Sequence, residues 1–374
     1  MKQVRRSRRN KKKRILVTVL ITVVLVFAGT FAGVQIVRAM GRNSLEGKTA
    51  SAAPVFEEKE TAPQAIPVSN AVERRAGAVT YDGKDYLYNK DIRTFLVMGI
   101  DKQGDVEEVE EGTAGGQADG LFLLVLNPHD KSVRIVAINR NAMADVDVYD
   151  ENGDYRHTVT AQICTQHGFG NGVEESCEYQ KKAVERFLYQ LPIHGYAAIN
   201  MSSVSAINDA VGGVDVTVLE DMTAWDRSLM KNARIRLMGK TAYIYTTRRD
   251  VNIPGSADGR LARQKQYLEA FTAKAVQLVK ERPSALIELY NTLKQEMTTD
   301  ITTDEIAYLA PKLAGYHAEG GIRTLEGETV KGESGFEEFY ADEDALYRLL
   351  IEIFYEEIGE DGYTSRPEAV VRKD

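Results

Sequence analysis

TFLVMG (Thr94 to Gly99) and LFLLVL (Leu121 to Leu126) are two continuous apolar runs. A strand with one wet face alternates apolar and polar residues, so an unbroken run reads as a strand buried on both faces. SVRIVAI (Ser132 to Ile138) reads as a third strand, with Asn127 to Lys131 as a tight turn before it. Helical periodicity follows at Tyr179 to Gln190, Ser202 to Val211 and Ala262 to Lys280, with strands at Tyr196 to Asn200 and Val214 to Val218. After Pro283 the pattern predicts a helix to about Met297, another at Thr303 to Tyr316, a strand near Gly321 to Thr324 and a helix at Asp342 to Ile358. This alternation predicts an α/β fold, a central mixed β-sheet flanked by helices. No Pro/Gly-rich linker interrupts it, so residues 91–360 read as one domain, followed by a flexible tail at 361–374.

Charged residues stand where these strands stop. Asp101 follows the first strand and Asp119 immediately precedes the second. If the two strands are antiparallel neighbours, both carboxylates reach one sheet edge. Two carboxylates beside phosphates outline a Mg²⁺ (or Mn²⁺) site, since such hard ions use few carboxylates plus water and substrate oxygens. The acidic, glycine-containing loop between them reads as solvated surface. Arg140 ends the third strand. Strand-end Asp and Arg also occur as plain solubilising punctuation, which is the competing reading.

A second cluster lies in YTTRRDVNIPGSADGRLARQ (Tyr245 to Gln264). Arg248 and Arg249 close a strand-like passage, Arg234 to Leu237 and Ala242 to Tyr245. Arg260, Arg263 and Gln264 fall at i, i+3 and i+4, on one face of a helix starting near Asp258. Guanidinium groups bind phosphate oxygens in pairs, so arginines from two elements suit a pyrophosphate. The alternative is a solvated basic loop neutralised by Asp250 and Asp258.

Residues 1–14 carry nine basic side chains and no acid, and the uncharged apolar run Ile15 to Val37 follows. At 1.5 Å per residue that run spans about 34 Å, enough for a bilayer core of about 30 Å. The expected layout is a basic cytoplasmic tail at 1–14, a transmembrane helix at 15–37, an extracellular tether at 38–90 and an outer domain. A cleaved signal peptide competes, but its apolar region is shorter. A hairpin is expected around Asp82 and Gly83. Of 47 basic residues, nine are in the tail, leaving 38 against 55 acidic ones and a balance of −17 outside it. So acidic a remainder disfavours a nucleic-acid partner. Cys164 and Cys177, both expected outside the membrane, read as a disulfide, with a metal site that also uses His157 and His167 as the competitor. The glycine-rich segment between the cysteines reads as a pinned loop near the substrate opening, and it lacks the Lys-Ser/Thr of a P-loop. No GxSxG or HExxH pattern is present, which disfavours those hydrolase chemistries.

Together these pieces resemble the LytR-CpsA-Psr family of cell-envelope proteins, over about Thr94 to Leu278. The resemblance rests on LVMGID, ADGLFLLVLNP, the strand into INRN, INDAVGGVDVTV, and GKTAYIY leading to RRD and GRLARQ, in that order. It implies a membrane-anchored transferase that moves a glycopolymer from a polyprenyl-pyrophosphate carrier to peptidoglycan as a phosphodiester, with a divalent ion and a lipid-holding pocket. By motif, Asp101 and Asp119 would organise the metal, and Arg140, Arg249, Arg260 and Arg263 would hold phosphates, with Arg248 as a substitute contact. This chain departs from the family pattern at four places. Asn141 stands where an Asp usually follows Arg140, Gln117 where an Arg precedes Asp119, Thr247 where an Arg begins the Arg-x-Arg pair, and Asp258 lies one residue nearer Arg260 than usual. Asp145 or Asp147 is a candidate to replace the lost acid. Two functions therefore stand at this stage: the transferase, or a non-catalytic relative that binds polyprenyl-linked glycans or assists an active paralogue.

Overall fold

The computed structural model describes residues 35–48, 53–56, 77–102, 108–109, 115–150, 152–250, 256–294, 296–333 and 335–359. Its centre is a six-stranded sheet in the order β11-β8-β3-β4-β5-β12. The strands are β3 (Arg93–Ile100), β4 (Ala118–Asn127), β5 (Ser132–Ile138), β8 (Gly195–Asn200), β11 (Met297–Thr299) and β12 (His317–Thr324). β4 is antiparallel to both β3 and β5, whereas β8 lies parallel to β3 and β12 parallel to β5. The expected mixed sheet flanked by helices is what forms.

The apolar runs are double-sided, as their lack of alternation requires. Leu96, Met98, Ile100, Leu121 and Leu123 face one core with Ala183 and Val184 of α2 (Glu174–Phe187), Leu188 just after it, and Leu346, Leu350 and Phe354 of α8 (Glu343–Phe354). Phe95, Leu126 and Val133 face another, closed by Leu309 of α7 (Thr303–Leu313), Tyr316 and Leu45. Burying each such side chain contributes roughly 1.5–3 kcal/mol, which is why the sheet centre lies at β3 and β4.

Leu45 belongs to α1, helical over residues 35–47. This helix falls within the span expected as anchor and tether, yet it packs on α7. Leu45 is fully buried, Ser44 Oγ donates to Glu305 Oε1 at 2.7 Å, and Lys48 Nζ reaches Glu305 Oε2 at 3.0 Å. Glu305 also completes the capping box of α7 with Thr302, so one buried carboxylate serves both helices. The expected span Ile15 to Val37 lies outside the described residues except for its last three. Among the described residues no helix is long and apolar enough to cross a membrane. Within the expected tether, Phe56 also packs, 4.2 Å from Tyr347 and 5.0 Å from Tyr189 between ring centres.

The expected hairpin is β1 (Ala78–Tyr81) and β2 (Lys84–Tyr88), turned by Asp82 at φ 48° and Gly83 at φ 72°. The C-terminal β15 (Tyr355–Glu357) adds to it. Two further ribbons have no counterpart in the expectations. They are β6 (Met143–Tyr149) with β7 (Tyr155–Gln162), and β13 (Gly327–Lys331) with β14 (Glu337–Ala341).

A third core joins β9 (Val214–Thr217), β10 (Arg234–Leu237), α3 (Val204–Ala210), α4 (Gly239–Thr247) and α5 (Ser256–Glu281). Ala242 to Tyr245, expected as strand-like, is helical. Its burial does not alternate, since Ala242, Ile244, Tyr245 and Thr246 all turn inward. The INDAVGGVDV motif acquires a physical meaning here. Gly212 and Gly213, at φ 79° and 80°, end α3 in left-handed turns, and a Cβ on Gly213 would meet Leu237 O at 2.7 Å. Fully buried Asn208 donates to Leu237 O at 2.9 Å, and Asp209 accepts from Gly239 N at 2.7 Å. The motif is thus a clamp that sets where α4 begins.

Candidate active site

β3 and β4 pair antiparallel with Ile100 opposite Ala118, so Asp101 and Asp119 leave the sheet at one edge. Gln117 links them: its N–H donates to Asp101 Oδ1 at 2.7 Å, and its carbonyl accepts from Asp101 N at 3.1 Å and Asp119 N at 3.0 Å. Burial holds the Asp119 carboxyl above its ordinary range, opposed first by Arg140. Asp101 pushes it further up, and Arg260 pulls it down. Two mutually repelling carboxylates on one edge suit a hard divalent ion that takes its remaining ligands from water and substrate. No group of three or more His, Cys, Asp or Glu that could hold a metal is found among the described residues. Asp101 and Asp119 are two carboxylate donors, fewer than a closed protein cage supplies.

Arg140 follows β5 in a turn closed by Ala142 N to Asn139 O at 2.9 Å. Its Nη1 donates to Asp119 Oδ1. Nη2 donates to Gln117 Oε1 at 2.7 Å and lies 3.4 Å from Cys164 Sγ. Gln117, in place of an arginine, thus accepts from Arg140 where a second guanidinium would repel it. The buried Nε of Arg140 has no partner, an orphan donor at the site.

Arg260 completes the cluster from the first turns of α5. Burial lowers its pKa, followed by the like charge of Arg249; Asp119 opposes this and Arg140 adds to it. Arg140 and Arg260 thus both act on Asp119, and Arg249 acts on Arg260. Arg249 and Arg248 project from the end of α4, and Arg248 lies 5.7 Å from the Tyr243 ring centre.

Arg263 and Gln264 point elsewhere. Arg263 is 1% exposed, donates to Tyr245 O at 2.7 Å and Arg248 O at 2.6 Å, and pairs with Glu220 at 2.8 Å. Gln264 donates to Thr246 O at 3.0 Å. Both are expected as substrate contacts, but the geometry makes them the cap of α4. They satisfy its last carbonyls, which a helix end leaves unpaired, and so hold Arg248 and Arg249 in place.

The expected disulfide does not form, and both cysteines are free. Cys164, on a 3-10 helix (Ile163–Phe169), turns to Arg140 and Gln117, while Cys177 of α2 lies 3.8 Å from His167 Nε2. Burial pushes both thiols up, so they behave as buried apolar groups. His167, the proposed competing metal ligand, is fully buried, held neutral by burial, with Nδ1 3.1 Å from Gly116 O.

Of the candidate replacement acids, Asp147 is held by Arg186 at 2.7 and 3.0 Å and by Thr158 at 2.7 Å. A carboxylate the sequence reading misses lies closer: Glu337 Oε2 of β14 stands 3.4 Å from Asn141 Nδ2. The two residues are 196 positions apart, and no local pattern links them.

A family model, described as the LytR_cpsA_psr family, matches residues 56–349. The chain is 27% identical over 213 residues to the Bacillus mycoides protein named polyisoprenyl-teichoic acid–peptidoglycan teichoic acid transferase TagU, covering 57% of this chain and 62% of that protein. It is 25% identical over 356 residues to the TagU of Bacillus licheniformis, covering 93% and 98%. The crystal structure of B. subtilis TagV superposes with a TM-score of 0.51 at 21% identity, over 70% of this chain and 95% of that one, which shows a common fold.

Proposed function

Because the chain belongs to the LytR_cpsA_psr family, we propose that it transfers a glycopolymer from a polyprenyl-pyrophosphate carrier to peptidoglycan, forming a phosphodiester during cell wall assembly. The observation that carries this reading is the convergence of Arg140 and Arg260 on Asp119 beside Asp101, with Arg249 next to Arg260. The relatives named as teichoic acid transferases support the substrate class.

In this reading Arg249 and Arg260 bind the pyrophosphate oxygens, which relieves the repulsion between the two guanidiniums. Arg140, fixed by Asp119 and Gln117, stabilises the charge that grows as the phosphorus is displaced. Asp101 and Asp119 would hold a Mg²⁺ or Mn²⁺ ion, which when bound neutralises phosphate oxygens. An acceptor hydroxyl oxygen attacks the phosphorus next to the glycan, and that phosphorus loses its bond to the oxygen of the departing polyprenyl phosphate. We place the domain outside the cell on a single membrane anchor at 15–37, with the N-terminus cytoplasmic and membrane lipid as neighbour. The basic residues 1–14 support this, as do Ile36 and Met40, which α1 leaves 61% and 59% exposed.

The test is to incubate the full chain in detergent with a synthetic polyprenyl-pyrophosphate saccharide, peptidoglycan fragments and Mg²⁺, detecting product by mass. Transfer that disappears with chelator and in Arg140→Ala is expected. A second reading, a glycan-binding relative without turnover, is favoured by Asn141, an amide that cannot take up a proton. It predicts lipid binding without transfer in the wild type, with transfer appearing in Asn141→Asp.

A further inference from the structure

We propose that Glu337, delivered by the C-terminal β13–β14 ribbon, is the general base of the transfer reaction. This rests on the transferase reading above and names the proton acceptor that reading lacks.

The ribbon is held at the site by its backbone. Phe339 N donates to Asn141 O at 2.9 Å, Ala142 and Phe339 form a parallel bridge, and Phe339 is buried in the core beneath. Gln162 of β7 fastens the corner, donating to Glu337 O at 2.7 Å and lying 3.3 Å from Asn141 Oδ1. Asn141 then donates from Nδ2 to Glu337 Oε2 at 3.4 Å. Both ends of the Asn141 amide are thus engaged, and its donor end orients a carboxylate next to the residue that follows Arg140.

Three other carboxylates of the neighbourhood are committed. Asp119 is ion-paired with Arg140, Asp101 accepts from Gln117 N, and Asp147 is paired with Arg186. Glu337 is solvent-exposed, and the hydrogen bond recorded for its carboxylate among the described residues comes from a neutral amide. A carboxylate so placed is accessible to an acceptor hydroxyl and carries no ion pair that a proton transfer would have to break. The charged groups beside it along the ribbon are Lys331, its cross-strand partner on β13, and Glu338 on β14; Gln162, from β7, is neutral. In the step, the acceptor hydroxyl gives its proton to Glu337 as its oxygen bonds to the phosphorus next to the glycan. The bond from that phosphorus to the bridging oxygen breaks, and polyprenyl phosphate leaves with that electron pair.

The experiment uses the full chain in the transfer assay above, comparing wild type, Glu337→Gln and Glu337→Gln/Asn141→Asp across pH, with thermal unfolding of each. Gln preserves the size of the side chain and an oxygen for Asn141. The expected result is a wild-type rate that falls on the acid side and a Glu337→Gln rate lower by about 100-fold or more from which that acid limb is gone, without loss of fold. The double variant should recover rate and acid limb together. A Glu337→Gln protein with wild-type rate overturns the proposal, as does one whose rate falls while the acid limb persists. Wild type without transfer overturns the transferase reading and this proposal together, whereas transfer with an indifferent Glu337 overturns this proposal alone.

Discussion

Arg260 and Arg263 lie one helical turn apart and do opposite things. Arg263 donates to two carbonyls that would otherwise be unpaired and is ion-paired with Glu220. Arg263→Ala is expected to lower unfolding free energy by roughly 1–3 kcal/mol in urea denaturation, since it leaves the buried Tyr245 carbonyl without its donor. Arg260 has like-charged neighbours in Arg249 and Arg140. Arg260→Ala should therefore unfold at no lower urea concentration than wild type, while the transfer assay records a loss of at least about 100-fold. The i, i+3 spacing puts both arginines on one helix face, but only the three-dimensional position of the α4 C-terminus decides which is consumed as a cap. A third residue makes a pH prediction. His194 is pushed down to about 3, by burial first and then by the like charges of Arg93, Lys181 and Lys48. The unfolded chain takes up this proton below about 6.5 while the fold refuses it, so the contribution is complete above that value and is lost as pH falls toward 3. Melting temperature should drop between pH 7 and 4.5 more in wild type than in His194→Gln.

At the level of elements, β3 and β4 were readable because a strand buried on both faces needs an unbroken apolar run, which few other structures require. The four residues Ala242 to Tyr245 were not, because so short a window fits a period of 2 as well as 3.6. What resolves it is Gly213 and Asn208, which lie some thirty residues upstream and turn the chain at Leu237 so that a helix follows. Gly213→Ala should cost more than about 1 kcal/mol in urea denaturation, because φ is positive and a Cβ would strike Met238 and Leu237. The carboxylate and arginine edges of the site were legible as strand ends and helix spacing. The β13–β14 ribbon was not, since a two-stranded ribbon with mostly exposed side chains leaves little apolar pattern, and its place is set by one buried Phe339 and a backbone bond to Asn141.

Across the whole molecule, two of the three apolar cores lie on the six-stranded sheet, and α1 is part of one of them. Leu45→Ala should destabilise the domain by about 2–5 kcal/mol in thermal or urea unfolding, as for other buried leucines, although α1 precedes the sheet by some fifty residues. Gly41 shows how close the docking is, for a Cβ there would lie 2.0 Å from Asp304 O. A domain on a slack string samples every orientation, and each productive encounter must select one of them. With α1 seated on α7 and the proposed anchor ending at residue 37, that selection is made once, during folding. Under the proposed function, the arginine edge would then meet a lipid-borne substrate as a fixed tool meets a workpiece on the same bench, and the encounter rate would depend on diffusion in two dimensions more than on tumbling.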